Sequence, residues 1–127
     1  MPENHLYEYA VIRVVPRVER EEFLNVGVIL YCRKHRYLQV IYTLDEQRLR
    51  ALYAEINIPA LAASLEAIAK ICRGGAAGGP IGLLDVASRF RWLTATRSTV
   101  IQTSKTHAGF SCNVEETLTR LHQQLVG

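Results

Sequence analysis

Two apolar stretches joined by a short charged connection constrain this chain more than any other feature. Tyr7-Glu8-Tyr9-Ala10-Val11-Ile12-Arg13-Val14-Val15 ends at Pro16-Arg17, and Glu22-Phe23-Leu24-Asn25-Val26-Gly27-Val28-Ile29-Leu30 follows. β-branched and aromatic residues broken by proline read as a strand. Alternation places Tyr7, Tyr9, Val11, Arg13 and Val15 on one face and Glu8, Ala10, Ile12 and Val14 on the other. Both faces are largely apolar, so helices cover at least part of each. Asn25 to Cys32 forms a second strand, and Tyr37 to Tyr42 a third after the basic turn Arg33-Lys34-His35-Arg36. Such short connections favour an antiparallel meander.

Period two then gives way to helical spacing. Asp45 caps a helix whose face is Leu49, Leu52, Tyr53 and Ile56. Asn57 followed by Pro59 starts another, with Leu61, Leu65, Ile68 and Cys72 as its buried stripe and a stop near Gly74. Gly74-Gly75-Ala76-Ala77-Gly78-Gly79-Pro80 reads as a mobile loop. It is not a phosphate-binding loop, because a helix precedes it and no Lys-Ser/Thr pair follows. A helix around Leu83 to Trp92, a short strand around Ser98 to Thr103 and a last helix from Asn113 complete the chain. Glu116 makes a capping-box pair with Asn113, and Val114, Leu118, Leu121 and Leu125 are the buried face. The expectation is one α+β domain over residues 1–127: a small antiparallel sheet, a three-strand meander plus one later short strand, packed with about four helices.

The 127 residues suffice to bury a core without metals or disulfides. Cys32, Cys72 and Cys112 are odd in number and far apart, which fits neither a disulfide framework nor a close-spaced zinc site, and a reducing cytoplasm is the simplest home. Glu3 and His5 stand where a signal peptide would carry basic residues, and no apolar run approaches bilayer length. The net charge is +3, yet twelve of the fifteen basic residues are arginine. Arginine's planar fork suits carboxylate and phosphate. The basic residues are nevertheless dispersed, unlike a nucleic-acid tail, and genome base composition accounts for the bias equally well.

Several blocks together resemble the bacterial domain of unknown function 3037 family. These are Tyr9-x-x-x-Arg13-x-x-Pro16, Arg20-x-Glu22-Phe23-x-Asn25-x-Gly27-Val28, Arg91-Trp92-Leu93-Thr94-Ala95 leading into Arg97-Ser98-Thr99-Val100-Ile101-Gln102, and His107-Ala108-Gly109. The resemblance spans nearly the whole chain. It implies no established activity, substrate or catalytic set. It does imply a candidate partner, since genes of the family often neighbour those of HipA-like kinases. Thr96 departs from the pattern, which has proline there.

Arg13 in an apolar strand must snorkel at an edge or meet a carboxylate, and a hairpin would bring Glu22 back to it as a bidentate partner. The other reading is an exposed, ligand-binding Arg13. Asn25 is read as satisfying the backbone of the preceding turn, and Gly27 as a bulge or close approach. Arg97 and His107, if they flank the short strand on Arg13's side, make with it a basic pocket for phosphate or carboxylate, beside Ser98. Trp92, beside Phe90 and Leu93, reads as a core anchor, with stacking on a base or a guanidinium as the alternative, and His107 with Gly109 as a turn. His5, His35, His107 and His122 stand in no local catalytic arrangement, and the only aspartates, Asp45 and Asp85, sit at helix starts.

The candidate ligand- or partner-binding residues are therefore Arg13, Glu22, Asn25, Arg97, Ser98 and His107, with no catalytic set, metal or cofactor. Two functions stand open. One is a non-catalytic cytoplasmic protein-interaction module contacting its partner, such as a HipA-like kinase, through a sheet edge or the glycine segment. The other is a binder of an anion, nucleotide or nucleic acid through a basic pocket. A homodimer joined through the sheet is a further possibility.

Overall fold

A computed structural model describes residues 3–95 and 99–127. The first three strands are β1 (His5–Val14), β2 (Leu24–Cys32) and β3 (Tyr37–Tyr42), paired as the expected antiparallel meander. Two short strands, β4 (Ile101–Thr103) and β5 (His107–Ser111), lie end to end along the other side of β1. The order is β3-β2-β1, then β4 against the end of β1 and β5 against its beginning. The helices are α1 (Glu46–Leu52), α2 (Ile58–Arg73), the single turn α3 (Gly79–Gly82), α4 (Val86–Leu93) and α5 (Val114–Leu125). The α+β class holds, with five strands and five helices among the described residues.

Strand alternation divides the core as the sequence predicts. Ile12, Val14, Ile29, Tyr31 and Leu38 meet Leu49, Leu61, Leu65 and Phe90 of α1, α2 and α4 on one face, where Tyr31 and Phe90 stack with centroids 5.1 Å apart. Tyr7, Val28, Leu30 and Cys32 meet Val114, Leu118 and Leu121 of α5 on the other. Each longer helix starts where a short polar side chain accepts a backbone N–H: Asp45 from Arg48, Asn57 from Ala60, Asp85 from Ser88 and Asn113 from Glu116.

β2 carries a bulge. Ile12 faces Gly27 while Arg13 faces Asn25, so Val26 is the extra residue. A side chain at Gly27 would meet the Ile41 carbonyl and the Tyr42 Cβ at 2.9 Å, so the close approach expected here is real.

Four local readings are corrected. The His107–Gly109 segment is part of β5 rather than a turn, because its backbone completes pairing with β1. The glycine segment is not an irregular loop: residues 76–78 form a 3₁₀ turn, α3 follows, and the Gly75 N–H donates to the Gly82 carbonyl at 2.8 Å. The helix read from Leu83 begins only at Val86, behind its Asp85 cap, leaving Leu83 exposed. The short strand read from Ser98 starts at Ile101, and Ser98 itself lies outside the described residues.

Candidate functional site

Arg13 does not pair with Glu22. Glu22 bridges instead to Arg20 in the exposed β1–β2 connection, while the Arg13 guanidinium lies 4.3 Å over the ring of Phe23. The connection turns early, with Glu21 in the left-handed region (φ 57°), and this brings Phe23 rather than Glu22 back over the strand. The ring supplies cation–π attraction but no hydrogen-bond acceptor on the plane of the guanidinium. Arg13 Nε is buried without a partner.

Asn25 also departs from its expected role. Its amide donates to the Leu125 carbonyl at 3.0 Å, tying β2 to the end of α5 rather than to the adjoining turn. Asn25 Oδ1 is buried and unpartnered. Arg13 and Asn25 are direct cross-strand partners at the bulge, so a buried donor and a buried acceptor are left open side by side. A small polar group offering both functions there would satisfy the two.

His107 shares the Arg13 face, since it pairs with Tyr9 and its ring lies 5.2 Å from the Tyr9 ring. Tyr9 and Arg13 are four residues apart on β1, about 13 Å at the usual strand rise. Arg13 and His107 thus lie on one face without touching. Arg97 and Ser98, like Thr96, lie outside the described residues.

The two arginines of α4, Arg89 and Arg91, serve different ends. Arg89 is buried and donates to the carbonyls of Ile71 (2.7 Å), Cys72 (2.9 Å) and Leu84 (3.1 Å), capping the end of α2. Arg91 is exposed and donates to Ser88 Oγ at 3.4 Å. Trp92 is not a core anchor: it is 41% exposed, because helical spacing gives the core to Phe90 and Leu93 and leaves Trp92 at the boundary.

Trp92 stands at the rim of a cleft of about 590 Å³ on the face opposite Arg13. It lies between α2 and β4, beside the covered end of β1. Leu61, Ile68 and Ile71 of α2 form one wall, with Leu93 and Ile101 opposite. The titratable groups on its described lining are Tyr53 and Glu55, and these bond to each other at 3.3 Å. Such a lining buries apolar surface but sets out no acid–base pair. Nearby Cys72 is no nucleophile at neutral pH, since burial pushes its thiol up to about 12 despite Arg89 and Arg73. No group of three or more metal-ligating side chains assembles among the described residues.

Sequence reasoning missed this cleft, because it is a gap between elements rather than a motif. Its local signal is a pair of exposed apolar residues that line it, Trp92 and Val100. Among the described residues, no helix is long and apolar enough to cross a membrane. The model of a family described as a protein of unknown function (DUF3037) matches residues 9–126. No curated protein and no solved structure matches the chain.

Proposed function

The chain belongs to the DUF3037 family of proteins of unknown function, and on that footing we propose that it is a non-catalytic cytoplasmic interaction module. It seats an apolar segment of a partner protein in the cleft between α2 and β4. The observation that supports this reading is the cleft itself: apolar walls, an aromatic at the rim, and beside it the outer edge of β4, which among the described residues pairs only with β1. An extended segment can add backbone hydrogen bonds to such an edge while its side chains enter the groove. A HipA-like kinase is the first partner to test, on the gene neighbourhood that the family resemblance implies.

The test is recovery of the tagged protein from its own cells at low and high salt, beside an Ala67→Glu variant that places a carboxylate in the cleft without entering the core. A stoichiometric protein retained by the wild type at high salt and lost from the variant supports the cleft. A partner retained equally by both overturns it. Nuclease-sensitive material that high salt removes favours the second reading, an anion or nucleic-acid site at Arg13. The open Nε of Arg13 is the observation on that side.

A further inference from the structure

We propose that the protein forms a two-fold homodimer in which β5 pairs antiparallel with β5 of a second copy, centred on Gly109. The inference is independent of the cleft. Among the described residues β5 pairs with β1 on its inner side and with no other strand, which leaves its outer N–H and C=O groups without a strand partner. Edge strands are ordinarily protected by charge, proline or a covering element. His107-Ala108-Gly109-Phe110-Ser111 has neither proline nor an Asp, Glu, Lys or Arg. The other edge, β3, is flanked by α2 and α5, whereas β5 makes its main packing with β1 alone.

Self-pairing in the register that uses all five residues sets His107 opposite Ser111, Ala108 opposite Phe110 and Gly109 opposite itself. No like charges meet within the paired strands. The large Phe110 ring falls beside the small Ala108, and the two Phe110 rings become diagonal neighbours within reach of each other. Phe110 is 71% exposed and its cross-strand partner Leu6 is 53% exposed, on the face where no helix covers β5. In the joined sheet these four side chains form one apolar cluster across the axis. On the other face Tyr7 lies so close over Gly109 that a Cβ there would come within 2.6 Å of its hydroxyl oxygen. The glycine therefore leaves room for Tyr7 to cover an otherwise bare edge position. The axis runs perpendicular to the sheet, so the cleft of each copy stays open on its own face.

Cys112 is exposed while Cys32 and Cys72 are buried, so a thiol-directed spin label on the native sequence goes to residue 112. β5 self-pairing places the two Cys112 backbones about 20 Å apart, whereas pairing through β3 would separate them by more than about 30 Å. Sedimentation across a wide concentration range shows a monomer–dimer equilibrium, electron–electron distance measurement on the labelled dimer gives the shorter distance, and Phe110→Glu weakens association about tenfold or more, or abolishes it. A protein that stays monomeric at the highest concentrations, or a dimer showing only the longer distance, overturns the proposal. The distance is read on the native sequence, so it decides the matter even if the variant folds poorly. Loss of partner binding by Ala67→Glu leaves the dimer unchanged, which separates this inference from the cleft.

Discussion

The hydroxyl of Ser104 takes the place of a backbone carbonyl opposite Val11. Val11 N–H donates to Ser104 Oγ at 2.9 Å, and the Ser104 N–H donates to the Val11 carbonyl at 2.8 Å. The exchange falls where β4 ends and β5 has yet to begin, so one buried side chain carries the ladder of β1 across the break.

Ser104→Ala leaves the Val11 N–H buried without an acceptor, which costs about 1–3 kcal/mol. Urea denaturation should show that loss, and the Val11 amide should exchange faster while the amides of the β1–β2 ladder keep their protection. An unchanged midpoint would mean that solvent reaches Val11 across the break.

Arg89→Ala strips three carbonyls of their donor and removes the cap of α2. The expected loss is about 3 kcal/mol or more, read as a lower denaturation midpoint. Arg89→Lys recovers only part, since a single ammonium lacks the fork that spans Ile71, Cys72 and Leu84.

Arg13→Met keeps an apolar stem over Phe23 and removes a buried donor that has no acceptor. Stability should change by less than about 1 kcal/mol, because the lost cation–π attraction and the relieved desolvation oppose each other. A much larger loss in thermal denaturation would show that the guanidinium holds a structural hydrogen bond through water.

Cys72 makes the fold sensitive to alkali. The folded thiol keeps its proton to about 12, whereas in the unfolded chain it ionises near 9. Between these values the folded state binds more protons than the unfolded one. Its contribution is therefore complete below 9 and falls as pH rises toward 12, by up to about 1.4 kcal/mol per pH unit. Cys72→Val should flatten this alkaline limb in denaturation curves taken across that range. It will not abolish it, since burial also raises Tyr37 and Tyr42.

Local signals in the chain were legible and carried far. The alternation of Tyr7 to Val14, the caps Asp45, Asn57 and Asn113, and the stripes ending in Cys72 and Leu125 each describe one element's own backbone and one face of it. The site was less legible. The hydrophobic pattern exposes an arginine in a strand, but whether Glu22 or Phe23 meets it depends on how the connecting turn closes, and Glu21 in the left-handed region chose Phe23.

By itself the sequence determined the class, the order of most elements and the family, because periodicity, capping and motif spacing act over a few residues at a time. Tertiary structure alone decided that β4 and β5 share one side of β1, that Ser104 joins them, that Arg89 serves the end of α2, and that a cleft opens beneath Trp92. Each of these depends on groups distant in sequence meeting once the sheet and helices have packed. Short-range propensity carries no record of which distant carbonyl a buried donor will find, or where two packed layers fail to meet.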